Sequence, residues 1–466
     1  MLRFFRINDP FRLIGILIIL VILSGTYFWI LDVPMLQPEL IWMLAGERLA
    51  DGNHMYKDVV DDTGPLSAGV YWIIHLIFGK SLTALRLLAA LVILFQVTYI
   101  NSLFIRYKSF EENTYIPAAI MVVLFHLSYD FLTLSPALMG STFILLALGQ
   151  LFSQTVLQKE GSDSVLLVGV FGGIAACFHF PLVVFLPFLV VSGVIVSGFT
   201  FNQFVLALVG YFLPIVLVGL YYFWIDALPD FIFEYFFATR ILEVYQHISI
   251  EDTGLLFALP VALALIGYFV GLWFKLITVN QQKQRQLIFI FLLFAISSVF
   301  LTNRRTPYQW IILLPALTYF INQIFIYLTQ KRVLQIFVIL FFLGIPLVGY
   351  GWFIFQNSAG NFDSYAIVYQ EKHQIARGKK ILVLGDDIAY YKEASLGASY
   401  LNSKLSNRIL KDFDDFADMA AVYQEFFTEK PDLIIDQEGV FAGLTDRVPL
   451  LNNLYQEEAN GIYLLK

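Results

Sequence analysis

The sequence predicts an α-helical polytopic membrane protein with a small soluble α/β domain at its C-terminal end. Three observations predict it. Of the 466 residues 59% are hydrophobic and only 14% are charged, with a mean hydropathy of +0.73; a soluble globular chain carries about a quarter charged residues. Apolar runs long enough to cross about 30 Å of hydrocarbon recur through the first three quarters of the chain. After Phe355 the pattern changes to short apolar strands separated by charged helical sequence.

The first run, in "MLRFFRINDPFRLIGILIILVILSGTYFWIL", follows a basic head and closes on Tyr27, Phe28 and Trp29, an aromatic belt rather than a cleavage site. It reads as a retained span. Further runs lie near 84–105, 114–133, 136–156, 163–180, 181–199, 203–224, 254–275, 287–302, 307–329 and 333–355, so that with 12–31 the chain has about eleven spans. Residues 1–355 then form the transmembrane domain and residues 356–466 the soluble one.

Lys and Arg in short loops set the orientation. Arg3, Arg6 and Arg12 precede the first span, and Arg106 and Lys108 follow the second. Lys275, Lys283 and Arg285 follow the eighth, and Lys331 and Arg332 the tenth. Alternating spans put all four clusters on one side, which is therefore cytoplasmic. The loops 32–83, 225–253 and 303–306 face outward with everything after 356, and Arg304-Arg305 is the one basic pair on the wrong side of the rule.

In the C-terminal part, "KKILVLGDD" and "PDLIIDQEG" read as buried strands ending in turns, with helical "DDFADMAAVYQEFFTEK" between them and "GIYLLK" as a last strand. Gly385-Asp386-Asp387 after a strand hints at a ligand loop, but no G-x-G-x-x-G is present. A structural or docking module is the competing reading. The net charge of −7 leaves no basic tract for nucleic acid. With Cys177 as the single cysteine, no intramolecular disulfide forms. The six histidines show no metal-ligand spacing.

The loop "ELIWMLAGERLADGNHMYKDVVDDTGPLSAGVYW" holds most of the charge of the first eighty residues. Gln37 to Asp51 is helical in pattern and Gly52-Asn53 ends it. Glu39, Met43, Gly46 and Ala50 fall on one stripe, which leaves room beside the carboxylate. "SAGVYWIIHLIFG" is amphipathic and too short to span. Both pieces suit helices lying in the outer interface, with Trp42, Tyr71 and Trp72 at headgroup depth.

An acid, a short helix, "G…Y.D", an acidic turn, "GPL…YW", "FGKS" and "ALRLLAALV", with a late "NRRTPYQWIILLPALTYF", resembles the GT-C superfamily of membrane glycosyltransferases. The nearest branch is that of protein-mannosyltransferases and aminoarabinose transferases, which use polyprenyl-phosphate sugars. The resemblance covers the architecture of nearly the whole chain, and its motifs lie in 32–90 and 303–320. It implies interfacial helices in the first outer loop and inverting sugar transfer at the periplasmic face of a bacterial inner membrane. The N-terminus is then cytoplasmic and the C-terminal domain periplasmic. The acceptor is a glycan, a lipid or a protein.

By that resemblance Glu39 is the general base. The acid that the family often places before it is Pro38 here, and the family's lysine before the aromatic helix is replaced within Thr63-Gly64-Pro65. Arg304, Arg305 and Arg240 are read as the donor-phosphate ligands, because a guanidinium fork matches phosphate oxygens. Asp58, Asp61 and Asp62 are read as ligands of sugar hydroxyls or of a divalent cation, with Tyr308 and His179 as further sugar or acceptor contacts. The competing readings are structural: Glu39 as a helix cap, the arginines as headgroup anchors, the aspartates as solvated loop acids, and His179 as a hydrogen-bonded packing residue. The transferase reading requires Glu39 and the arginines to meet in one water-facing pocket. The two departures from the family pattern motivate the alternative, a non-catalytic scaffold or assembly subunit of envelope machinery. A lipid-linked-sugar transporter fits less well, since no matched pair of broken helices is present.

Overall fold

The computed structural model describes residues 2–157, 162–238, 245–273, 277–301, 304–362, 365–412, 416–459 and 461–466. Compactness groups them into two units. One comprises Met1–Val33, Leu85–Val218 and Val244–Asn361; the other comprises Pro34–Ala84, Gly219–Glu243 and Phe362–Lys466.

The first unit is a helical bundle. Among the described residues eight helices are long and apolar enough to cross a membrane: Arg12–Ile30, Leu82–Arg106, Pro136–Thr155, Phe180–Ser197, Phe201–Trp224, Ile250–Trp273, Pro307–Tyr327 and Lys331–Ser358. Three of the predicted spans take other forms. Residues 114–133 make a fully buried nine-residue helix, Ile116–Leu124, followed by tight turns on either side of Ser128. Residues 163–180 lie in Ser162–Phe178, which has 17 residues. Residues 287–302 fall in Val279–Val299, whose first turns carry Gln281, Lys283 and Arg285 and lower its hydropathy.

Burial divides the helices by role. Pro307–Tyr327 is 89% buried in its most apolar window, against 17% for Phe201–Trp224, whose exposed Leu213, Val216, Leu217 and Leu220 present a face suited to lipid. Small residues let backbones meet, as membrane bundles require in the absence of a hydrophobic drive between helices. Gly169 and Gly173 lie against the carbonyls of Ala207 and Tyr211, and Gly267 against that of Phe320, where any Cβ would collide. Inside the bundle the Gln96 amide nitrogen is satisfied, donating to the Leu138 carbonyl at 2.9 Å and to the Ser141 and Thr142 hydroxyls at 3.0 and 2.8 Å.

The second unit joins the loop segment Pro34–Ala84 to the C-terminal sheet. Helix α1 (Gln37–Ala50) starts with Pro38 in its first turn and ends before Gly52, at φ +93°. Helix α2 (Pro65–Phe78) starts on Pro65 and stops at Gly79, φ +63°. The room that the sequence leaves beside Gly46 is taken by α2, because a Cβ there would sit 2.5 Å from the Tyr71 carbonyl oxygen. Trp42 and Tyr71 are both buried and stack with centroids 5.5 Å apart. Trp72, Ile73, Leu76 and Ile77 stay exposed, the apolar face expected of an interfacial helix.

The sheet has strands β1 (Lys380–Leu384), β2 (Ser395–Leu396), β3 (Leu433–Asp436), β4 (Tyr455–Ala459) and β5 (Ile462–Leu465) in the order β2-β1-β3-β5-β4. The first three are parallel, and the β4–β5 hairpin closes the edge antiparallel. Behind β3, the Asp436 carboxylate accepts from the amides of Val440 and Phe441 at 2.9 and 2.8 Å. It thereby fills the N-terminus of the helix Val440–Arg447 with an internal anion.

The loop between α1 and α2 is part of this unit's core. Val60 belongs to the same apolar cluster as Leu382, Phe426 and Phe441, and its amide donates to the Ser399 carbonyl at 2.8 Å. Arg48, 3% exposed, makes a two-pronged ion pair with Glu429 at 3.2 Å. Glu47 accepts from Lys80 at 2.7 Å and from Ser395 at 2.9 Å.

Candidate functional site

Glu39 lies in the first turn of α1 and is 1% exposed. Its Oε2 accepts the backbone N–H of Leu36 at 2.8 Å, satisfying one of the donors that a helix start leaves open. The carboxylate is therefore held in one orientation, and it has a capping role whatever else it does.

The three loop aspartates differ. Asp58 accepts the His54 amide at 2.9 Å and closes a local turn. Asp61 is fully buried: Oδ2 accepts the Thr63 amide at 3.1 Å and the Thr63 hydroxyl, and Oδ1 accepts Asn402 Nδ2 at 3.2 Å. Asp62 is half-buried. Asp61 thus ties the loop to the C-terminal sheet domain.

The sequence reading passed over Glu234, whose only signal is an acid among aromatics in "FIFEYFF". Glu234 is 4% exposed, and its Oε2 accepts the Asp61 amide at 3.2 Å. Burial pushes its carboxyl up to about 9, helped by the charges of Asp61 and Asp230 and opposed by the Asp61 N–H and by Arg408. The folded chain therefore holds a proton here that the unfolded chain releases above the ordinary value of 4.5. That contribution to stability is complete below about pH 4.5 and is lost as pH rises to about 9. Glu234→Gln keeps an acceptor for the Asp61 amide and removes the titration. Thermal unfolding in detergent is expected to show a midpoint that falls across this window in the wild type and is flatter in the variant; equal slopes would contradict the assignment.

Within the bundle unit the structure brings together two of the predicted contacts. His179 follows the helix Ser162–Phe178 in extended conformation, and Tyr308 is buried in the tight turn Pro307–Leu313. Their rings lie 6.5 Å apart. The backbone of Arg304 and Arg305 forms a two-residue parallel ladder with Tyr245–Gln246. The Arg305 guanidinium sits 5.5 Å from the Phe300 ring, and its buried Nε has no hydrogen-bond partner among the described residues. The Arg304 side chain and Arg240 lie outside the described residues. Among the described residues no group of three or more His, Cys, Asp or Glu is placed to hold a metal ion.

No family model and no curated protein matches the sequence. Solved structures do. ArnT from Cupriavidus metallidurans bound to undecaprenyl phosphate matches at 11% identity and TM-score 0.57, over 97% of this chain and 96% of that one. The apo form of the same protein matches at 16% identity and TM-score 0.47 over 69% of this chain. The apo oligosaccharyltransferase of Archaeoglobus fulgidus matches at 13% identity and TM-score 0.46 over 79%. In these last two, the match spans 60% and 58% of the other chain. The chain shares the fold of the ArnT structure bound to undecaprenyl phosphate, that of a polytopic helical membrane protein, with most of the described residues in helices and a small C-terminal sheet.

Proposed function

We propose that this chain is a membrane glycosyltransferase that moves a sugar from a polyprenyl-phosphate donor to an acceptor, with inversion, at the periplasmic face of a bacterial inner membrane. The observation that carries the reading is the likeness in fold, over 97% of the chain, to a protein bound to undecaprenyl phosphate. The clustering of Lys and Arg on one side of the spans supports an outward-facing first loop and a periplasmic domain from 356 to 466.

In the proposed reaction an acceptor hydroxyl oxygen attacks the anomeric carbon as the bond from that carbon to the phosphate oxygen breaks. The bonding pair leaves with the polyprenyl phosphate. The hydroxyl proton passes to Glu39, whose negative charge also suits the oxocarbenium character of the transition state. Arg305, with Arg304 and Arg240 as further candidates, takes the charge that grows on the departing phosphate. Tyr308 and His179 bind sugar or acceptor hydroxyls, as does Asp62 with Asp58, while Asp61 holds their loop in place.

A donor site has a consequence that a scaffold lacks. A ligand that binds only the folded state raises its stability by RT ln(1 + [L]/Kd). Undecaprenyl phosphate added to the chain in nanodiscs is expected to raise the unfolding midpoint progressively, and undecaprenol, without the phosphate, to raise it less. No shift with either lipid would favour the scaffold reading, which the capping contact of Glu39 with Leu36 also supports.

A further inference from the structure

At the far end of α1 from Glu39, a cavity of about 280 Å³ opens beside the loop 52–55, α2 and the residues Tyr221 and Tyr222. Its volume is at the floor of the about 300–1,000 Å³ that ligand sites occupy, enough for one small ring and too little for a polyprenyl chain. The walls are aromatic. Trp72 and Tyr221 are 41% and 50% exposed and offer ring surface to an occupant. Tyr222 is buried and fixed, stacked on Phe231 at 4.6 Å and set edge-on to Tyr56 at 5.1 Å.

The rim is polar. His54 Nδ1 is 3.1 Å from the Tyr221 hydroxyl, and Asn53 Nδ2 donates to the Arg48 carbonyl at 3.1 Å. The His54 ring and the Asn53 amide are thus oriented. No Lys, Arg, Asp or Glu lines the cavity, so no fixed side-chain charge of Asp, Glu, Lys or Arg is there to pair with an ionic ligand. The floor is open: a Cβ built on Gly69 meets no atom within 4 Å.

We infer that this cavity is a binding subsite for one neutral saccharide ring. Such a ring presents an apolar C–H face, which aromatic walls cover, and a rim of hydroxyls, which Asn53 and His54 can meet. A lipid acyl chain would leave those polar groups unmatched. Leu49, at the cavity, follows Glu39 by ten residues, about 15 Å of helix. In the transferase reading, on which this step rests, the subsite holds a sugar of the acceptor remote from the reacting hydroxyl, so the acceptor already carries a glycan.

The test is saturation-transfer NMR on the full chain in nanodiscs with glucose, galactose, mannose and N-acetylglucosamine. At least one saccharide is expected to bind, with about tenfold weaker binding in Tyr221→Ala and none in Gly69→Phe, which fills the floor. With a glycan acceptor, Tyr221→Ala is expected to raise KM about tenfold with kcat unchanged. Absence of any saccharide signal, or a signal unaltered by both substitutions, overturns the subsite, as does a lipid acyl signal that Gly69→Phe displaces. Saccharide binding in a chain that never consumes donor would keep the site and remove the transferase reading.

Discussion

Glu39→Gln is expected to lower the rate of sugar transfer by about 10²–10⁴-fold, the range that a positioned general base contributes, with the fold intact. The choice of glutamine matters. The amide oxygen can still accept the Leu36 N–H that the carboxylate accepts at 2.8 Å, so the helix start keeps its cap while the base loses its affinity for a proton. Glu39→Ala removes both, and its unfolding free energy is expected to fall by a further ~1 kcal/mol, the usual cost of a lost cap. The pair of variants separates chemistry from structure. If the two roles are distinct, both variants are inactive and only the alanine is destabilised. A glutamine variant that transfers sugar at the wild-type rate would leave Glu39 as a cap alone and favour the scaffold.

Arg305→Ala is expected to raise the KM for the polyprenyl-phosphate donor by about 10–100-fold, equivalent to the about 1.5–3 kcal/mol of a hydrogen bond to a charged group. Among the described residues the Arg305 Nε is buried without a hydrogen-bond partner, and the guanidinium lies beside the Phe300 ring. A cation in that state is an incomplete interaction, and a phosphate would complete it. Arg305→Lys keeps the charge and loses the planar fork, so it is expected to recover only part of the affinity. A donor KM equal to that of the wild type in both variants would reduce Arg305 to a packing residue beside Phe300.

The architecture was legible because apolar length is a one-dimensional signal. Runs such as 203–224 and 307–329 appear as helices at nearly the predicted bounds. The same signal overstated 114–133, where the α-helix ends at Leu124 and tight turns follow on either side of Ser128, so that burial, not length, defines the segment. In the loop, the helical stripe of α1 was readable, whereas the partner that fills the space at Gly46 was not, because α2 is reached only after a turn whose path the pattern does not encode. Asp61 looked like its neighbours Asp58 and Asp62 in sequence. It differs from them through Asn402 and Glu234, 341 and 173 residues away. Arg304 and Arg305 were recognisable as a basic pair apart from the other Lys and Arg clusters, but the backbone ladder they form with Tyr245–Gln246 was not. Chemistry shared by distant segments is what a single sequence leaves unstated.

The measurement closest to the central claim is single-turnover analysis of a polyprenyl-phosphate-linked sugar with the purified chain in nanodiscs, wild type beside Glu39→Gln. The account predicts stoichiometric release of polyprenyl phosphate by the wild type, a sugar of inverted anomeric configuration on the product, and a rate at least about 10²-fold lower in the variant. Donor that stays intact with the wild type across sugars and acceptors, or release at equal rates by both proteins, would contradict it.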